Sequence, residues 1–385
     1  MSYIKFSGKG LFTGEKLLED GFVLIMNADG RVEDIVRADE AGEDIVETGG
    51  ILSPGFINTH CHIELAAMRG VIPPNTGMVR FLINVMRFRG ENAERIEESI
   101  KKADQEMKEN GIVAVGDIAN NALSAGVKSV SDIYYHTFVE TTGFVPSSAR
   151  QRADAALQTL GVFREKGLPV TLSPHAPYSV SPQLFSIINR ETENQLLTIH
   201  NQESTSENIF FRLNKGDFHL LYEEFGIPTL HFQGTGKSSL QSWLPHFNKN
   251  QSLLLVHNVA TEQEDIRFVS HCVNAGLLKS ASYCLCPNAN LYIQNLLPNP
   301  QLFLDQNCHV TIGTDSLASN HGLSVWDEIR QLRNSYPSLS LETLLQWATR
   351  NGAQALGISD KYGSFERGKR PGVLLLEKET VKRLL

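Results

Sequence analysis

The chain has no basic block. Its 35 Lys and Arg against 43 Asp and Glu leave a formal charge of −8, and nowhere do cations gather as a nucleic-acid footprint requires. No apolar run approaches the ~20 residues of a membrane span. The opening "MSYIKFSGKGLFTGEKLLEDG" lacks the long apolar core of a signal peptide. Cysteine is scarce. The five residues Cys61, Cys272, Cys284, Cys286 and Cys308 are odd in number and irregularly placed, which argues against a disulfide framework. Cys284-x-Cys286 is too tight for the usual zinc knuckle and has no second pair to match it. Internal repeats and low-complexity tracts are also missing. These absences predict reduced thiols, a cytoplasmic protein, a small-molecule substrate, and neither nucleic acid nor membrane as partner.

What is there is 385 residues at 41% hydrophobic composition, enough for one large domain or two medium ones. Residues 1–50 read as short alternating strands, with Asp29-Gly30 as a hairpin signal. "GSFERGKRPGVLLLE" near the other end has the same character. Between them, eight β-rich runs alternate with helical stretches: "ILSPGFINTH", "GIVAVGDIAN", "YYHTFVETTG", "PVTLSPHAPY", "QLLTIHNQES", "SLLLVHNVA", "SASYCLCPNAN" and "HVTIGTDS". The helical stretches "ENAERIEESIKKADQEMKENG" and "SARQRADAALQTLGVFREKG" both end at Gly, as helix C-termini often do. The alternation predicts a parallel (β/α) barrel, with an open doubly wound sheet as the alternative. Residues 206–249, rich in Phe, His and Gly, are long for one connection. They predict an elaborated loop or helix pair over one end of the barrel.

Five of the eight runs end in residues that bind metals or move protons. The first ends in His60-x-His62, whose side chains share one face of an extended chain. The fourth runs into His175, the fifth into His200 and Glu203, the sixth into His257, and the eighth into Asp315. Singly, each has a plain reading: a histidine facing a loop, an Asp capping the next helix, a solvated Glu. In a barrel the strand C-termini converge on one mouth, so the joint pattern points to one metal centre. His60, His62 and His200 offer three imidazole nitrogens and Asp315 a carboxylate, a donor set that suits Zn²⁺ with one position left for water. Fe²⁺ or Mn²⁺ would accept the same donors. Zinc brings such a water to a pKa near ~7. Glu203, three residues past His200, is placed to shuttle protons. His257 can orient or deprotonate the water, and Asp315 can double as ligand and proton acceptor.

"PGFINTHCH", "HNQES", "VHN", "CPNANL" and "IGTDS" resemble the amidohydrolase superfamily, in particular its mononuclear deaminase and chlorohydrolase branch. The resemblance extends to "LETLLQWATRNGAQALGI" and "GSFERGKRPGVLLL", although Pro371-Gly372-Val373 stands where Ala-Asp-Leu is usual. It implies an α/β fold: a distorted (β/α)8 TIM barrel over 53–356 with a small β-sandwich built from 1–52 and 357–385. Binuclear members carry a carboxylated Lys on strand four; "PVTLSPHAPY" has none, which implies one metal. The branch implies Glu203 as proton shuttle, His257 and Asp315 in catalysis, and commonly a homodimer. "SPHAPYSVS" and "CPNANL" are similar to adenosine-type and S-adenosylhomocysteine deaminases, whereas "HCHIEL" is closer to aminodeoxyfutalosine deaminases. This implies hydrolytic deamination of an aminopurine-type ring, with Glu64 and His175 facing substrate and Arg69 among the arginines that reach a substrate carboxylate. Arg80, Arg87, Arg89 and Arg150 are the other candidates, with a place on helix surfaces as the alternative for some of the five. Chloride release from a triazine, or a formimino deiminase reaction, would use the same site. A metal-free scaffold is the reading outside enzymology, against which all the expected ligands are present.

Overall fold

All eight β-rich runs become strands. The computed structural model describes residues 3–90 and 92–385. Met1 and Ser2, at the head of the N-terminal unit, and Glu91, at the head of the first helical stretch, lie outside the described residues. We number the barrel strands β1 (Phe56–Cys61), β2 (Ile112–Ala119), β3 (Tyr134–Thr141), β4 (Val170–Pro174), β5 (Leu196–Asn201), β6 (Gln251–His257), β7 (Leu278–Leu285) and β8 (Val310–Ile312). Every residue of β1 and β2 is buried. Burial on both faces is what near-continuous apolar runs demand, and it is met by a parallel sheet covered by helices.

The strands form two parallel sheets of four, β1–β4 and β5–β8. Two seams join them. At the first, the backbone N–H groups of Thr314 and Asp315 both donate to the His60 carbonyl, at 3.1 and 3.0 Å. Side chains reinforce that seam: Asn58 Nδ2 donates to Thr314 Oγ1 at 2.8 Å, and Thr59 Oγ1 lies 2.8 Å from Thr311 Oγ1. At the second seam the His200 N–H donates to the His175 carbonyl at 2.9 Å and the Thr198 N–H to Ser173 Oγ at 3.2 Å. The sheet is therefore a closed, distorted barrel, not an open doubly wound one.

The two helical stretches form Ala93–Glu109 and Ala149–Glu165. The glycines that follow, Gly111 and Gly167, take φ of +76° and +71°, the left-handed conformation that ends a helix at least cost. The two chain ends build a pair of small sheets. One orders Val32–Arg37, Phe22–Asn27, Tyr3–Ser7 and Ile45–Glu47; the other sets Leu374–Leu376 between Ile51–Ser53 and Val381–Arg383. Phe6, Leu24, Met26, Leu52, Phe365 and Val373 fill the space between them. The Asp29-Gly30 signal lies in the hairpin turn, with Gly30 at φ +81°.

Residues 206–249 take up three short helices, Thr205–Leu213, Phe218–Glu224 and Ser239–Trp243. Phe210, Phe218, Leu221 and Tyr222 pack against Phe144 and Tyr178, which follow β3 and β4, and against Met78 and Phe81 of the helix Met78–Phe88. Tyr222 Oη donates to the Tyr178 carbonyl at 2.6 Å. The insertion thus covers the mouth formed by the strand C-termini, where barrel enzymes place their chemistry.

Candidate active site

His60 is the penultimate residue of β1, and His62 follows the strand directly. His62 Nε2 lies 3.2 Å from His60 Nε2 and 3.1 Å from His200 Nε2. Asp315 Oδ1 is 3.5 Å from Nε2 of both His60 and His62. Four donor atoms, three nitrogens and an oxygen, lie within 4.8 Å of one another, and all four residues are buried. Burial, followed by the neighbouring imidazoles, drives His60 well below the ordinary histidine range. Burial also lowers His62 and His200. His200 Nδ1 donates to the His175 carbonyl at 2.9 Å, which leaves the Nε2 lone pair facing the others. Lone pairs this close repel unless a cation or a shared proton lies among them. The donor set therefore fits a divalent ion.

The carboxylate comes from a residue in an unusual conformation. Asp315 has φ +57°, and His257, the last residue of β6, has φ +74°. Each such non-glycine residue costs on the order of 1 kcal/mol, an expense that clusters at functional sites. The turn at Asp315 aims Oδ1 at the imidazoles while Oδ2 accepts from Ser319 Oγ at 2.6 Å. Burial works to raise the Asp315 carboxyl, but the facing His62 and His257 and the Ser319 hydroxyl hold it below its ordinary value.

Glu203 Oε1 lies 3.4 Å from His257 Nε2. Burial, then the carboxylates of Asp315 and Glu207, push the Glu203 carboxyl well above the usual range. Its backbone is fixed by Glu207, which accepts from the amides of Gln202 at 3.0 Å and Glu203 at 3.2 Å. Ser239 of the insertion bonds the same carboxyl at 2.5 Å. His257 Nδ1 sits 3.1 Å from Asn290 Nδ2, in the "CPNANL" segment.

Beside this group opens a cavity of about 300 Å³. His62, Glu64, Glu140 and His175 line its inner part, and Leu82, Val85, Phe144, Leu221, Tyr222 and Ile227 make apolar walls. Glu64 is buried and accepts from the Asn120 N–H at 3.0 Å; burial raises its carboxyl to about 7. His175 Nδ1 pairs with Ser179 Oγ at 2.7 Å, and burial lowers the ring to about 4, so it is neutral. Arg89 and Arg152 also line the cavity.

Arg69 stands apart from the residues that line this cavity: its half-exposed guanidinium bonds Glu106 and the His321 carbonyl. Arg87 pairs with Glu224 and Arg150 with Asp154 instead. Sequence reasoning passed over Arg152, Asn120, Glu140 and the buried pair Asp117–Lys128. Yet Glu140 and Asn120 stand at the ends of β3 and β2, the position that singled out the histidines. Asp117 Oδ1 accepts from the Ile63 N–H at 2.8 Å, next to His62.

The model of the amidohydrolase family matches residues 51–382. The chain belongs to the amidohydrolase family. Among relatives, an adenosine deaminase of Helicobacter pylori is 28% identical over 326 residues, covering 83% of this chain and 77% of its own length. The solved aminofutalosine deaminase of Helicobacter pylori, in complex with methylthio-coformycin, superposes with a TM-score of 0.78 at 21% identity, over 97% of this amidohydrolase and 93% of that chain. An adenosine deaminase from Xanthomonas campestris with bound zinc gives a TM-score of 0.73 at 19% identity, over 98% and 85%. The barrel and its small sheet domain are thus those of amidohydrolases. Among the described residues, no helix is long and apolar enough to cross a membrane.

Proposed function

We propose that this amidohydrolase is a metal-dependent hydrolytic deaminase of an aminopurine nucleoside bearing a carboxylate, with aminodeoxyfutalosine as the first candidate. The observation that carries the reading is the meeting of His60, His62, His200 and Asp315 with Glu203 and His257 beside one cavity. His60, His62, His200 and Asp315 would hold one divalent ion, zinc first. Bound there, the ion supplies a water acidified enough to attack at neutral pH.

The chain's own groups manage the protons. Glu203, whose burial favours its protonated form, gives its proton to a ring nitrogen as oxygen adds to the carbon bearing the amine. Asp315 accepts the proton that the attacking water releases, and His257 Nε2 orients that water. The amine then leaves with a returned proton, so one water is consumed and one ammonia released. His175, neutral and fixed by Ser179, meets the purine edge. Glu64 faces the nucleoside. Arg89 and Arg152 make no ion pair with a protein carboxylate among the described residues, so both are available to a substrate carboxylate. The apolar walls before them suit an aromatic tail more than a charged amino-acid tail. The five cysteines are all free thiols, consistent with the cytoplasm, and a homodimer is the expected assembly.

The test is ammonia release by the zinc-loaded protein from adenosine, S-adenosylhomocysteine, methylthioadenosine and aminodeoxyfutalosine. The carboxylated nucleoside with the apolar tail should give the highest kcat/KM. Chloride release from a chlorotriazine, with no ammonia from any purine, would move the assignment to a chlorohydrolase.

A further inference from the structure

Glu207 stands in the first turn of the helix Thr205–Leu213 and is fully buried. A carboxylate at that place has a plain job, which is to cap its own helix by accepting from the N–H of the N-cap residue, here Ser204. Glu207 reaches further back. Its Oε2 accepts from the Glu203 N–H at 3.2 Å and its Oε1 from the Gln202 N–H at 3.0 Å. These two amides flank the Cα of Gln202, whose φ is +46°. A non-glycine residue keeps such a conformation only where its surroundings impose it. On the other side of Glu203, Gln294 Nε2 donates to the backbone carbonyl. The residue that carries the proton is thus held at both its N–H and its C=O.

The third donor to this carboxyl comes from the far end of the insertion. Ser239 opens the helix Ser239–Trp243, and its Oγ donates to Glu207 Oε1 at 2.5 Å. Its N–H donates to Asn208 Oδ1 at 2.9 Å. The preceding Ser238 bonds Asp265, which also accepts from Gln202 Nε2 at 2.8 Å. All of these residues are buried. The same insertion supplies Leu221, Tyr222 and Ile227 to the cavity wall. We propose that Glu207 is a positioning residue: seated by Ser239, it holds the Gln202–Glu203 turn so that the Glu203 carboxyl stays within proton-transfer reach of the substrate. The insertion then serves the proton chemistry as well as walling the cavity. The proposal rests on the deaminase reading above, through the role given there to Glu203.

The experiment measures ammonia release from adenosine and aminodeoxyfutalosine by zinc-loaded Glu207→Gln, Ser239→Ala and Ser239→Thr. The first two are also combined with Glu203→Gln and assayed at high enzyme concentration. Glutamine keeps the shape of Glu207, but in place of one oxygen it turns an amide, donor to donor, toward a backbone N–H. Glu207→Gln should lower kcat about 10- to 100-fold, the loss for a reacting group displaced by about 1 Å, with KM within about 3-fold. Ser239→Ala leaves the carboxyl but frees it, and should lower kcat about 3- to 10-fold; Ser239→Thr, which keeps the hydroxyl, should restore it. On the Glu203→Gln background neither change should lower kcat by more than about 2-fold further, because a residue acting only through Glu203 has nothing left to place. Zinc content and circular dichroism should match the wild type. A kcat for Glu207→Gln within about 2-fold of wild type, a loss that falls on KM, or a loss as large on the Glu203→Gln background would overturn the proposal while leaving the deaminase reading intact. Should Glu207→Gln fail to fold, Ser239→Ala decides by the same criteria. A wild type that releases ammonia from no aminopurine nucleoside would bring down the deaminase reading and this one with it.

Discussion

Replacing Lys128 by Met should be far more damaging than its distance from the reacting groups suggests. Lys128 Nζ lies 2.6 Å from Asp117 Oδ2, with both side chains fully buried. Thr137 Oγ1 at 3.0 Å and the rings of Tyr135 and Phe163, 5.4 and 5.0 Å away, complete the ammonium's surroundings. Methionine preserves the stem but leaves the Asp117 carboxylate buried without its counter-charge. Breaking such a pair costs about 3–5 kcal/mol. For a chain of this length that corresponds to a drop of about 6–10 °C in Tm, taking ~2 °C per kcal/mol. Adding Asp117→Asn should recover at least half of the loss, because the charge goes while an oxygen remains for the Ile63 amide. The loss should also depend on pH. Burial already raises the Asp117 carboxyl above its ordinary value despite the lysine, and losing the lysine raises it further. A folded-state pKa above the unfolded one means that the folded form binds more protons, so stability is lost as pH rises. The penalty should be smaller at pH 5 than at pH 8. The assay is thermal and urea unfolding of the zinc-loaded proteins at both pH values. A single variant within about 1 kcal/mol of wild type, or a double variant no better than the single, would refute the argument that desolvation governs this pair.

Other outcomes follow from the same geometry. Glu203→Gln should lower kcat by about 10²- to 10⁴-fold with KM little changed, the cost of losing a positioned proton donor; metal analysis should still find one ion per chain. Arg89→Met and Arg152→Met should each reduce kcat/KM about 10- to 100-fold on a carboxylated nucleoside and leave adenosine turnover unaltered, which steady-state kinetics on both substrates will decide. Gly313→Ala would bring a methyl group within 2.8 Å of both His60 Cβ and Cys284 Sγ. Moving His60 should weaken zinc affinity about 10- to 100-fold in chelator competition; an unchanged affinity would mean that β1 and β8 can part freely at this seam.

The barrel was legible because most strand residues are buried, those of β1, β2 and β8 on both faces, so that the strands spell largely apolar runs. The clustering of His60, His62, His200 and Asp315 was legible because those runs share an end: polar residues there have one mouth to enter. The same rule, applied to β2 and β3, would have reached Asn120 and Glu140; without a histidine they looked like ordinary strand residues. The arginines could not be sorted this way. Arg69, Arg87, Arg89, Arg150 and Arg152 sit in or beside helices and loops where one residue turns the side chain by about 100°. Whether each meets the cavity or a surface carboxylate is settled by packing against distant elements. Asp117–Lys128 was hidden for a similar reason: its partners are 11 residues apart, one in β2 and one in a short helix, Ala125–Lys128, and only the fold turns them toward each other.

The two seams have a consequence for the assembled molecule. His60 and His62 belong to one half-barrel, while His200 and Asp315 belong to the other. Neither half owns a coordination sphere. An ion held by all four would act as a clasp across a joint that the backbone fastens with only a few bonds, and its binding free energy would add to the work of prying the halves apart.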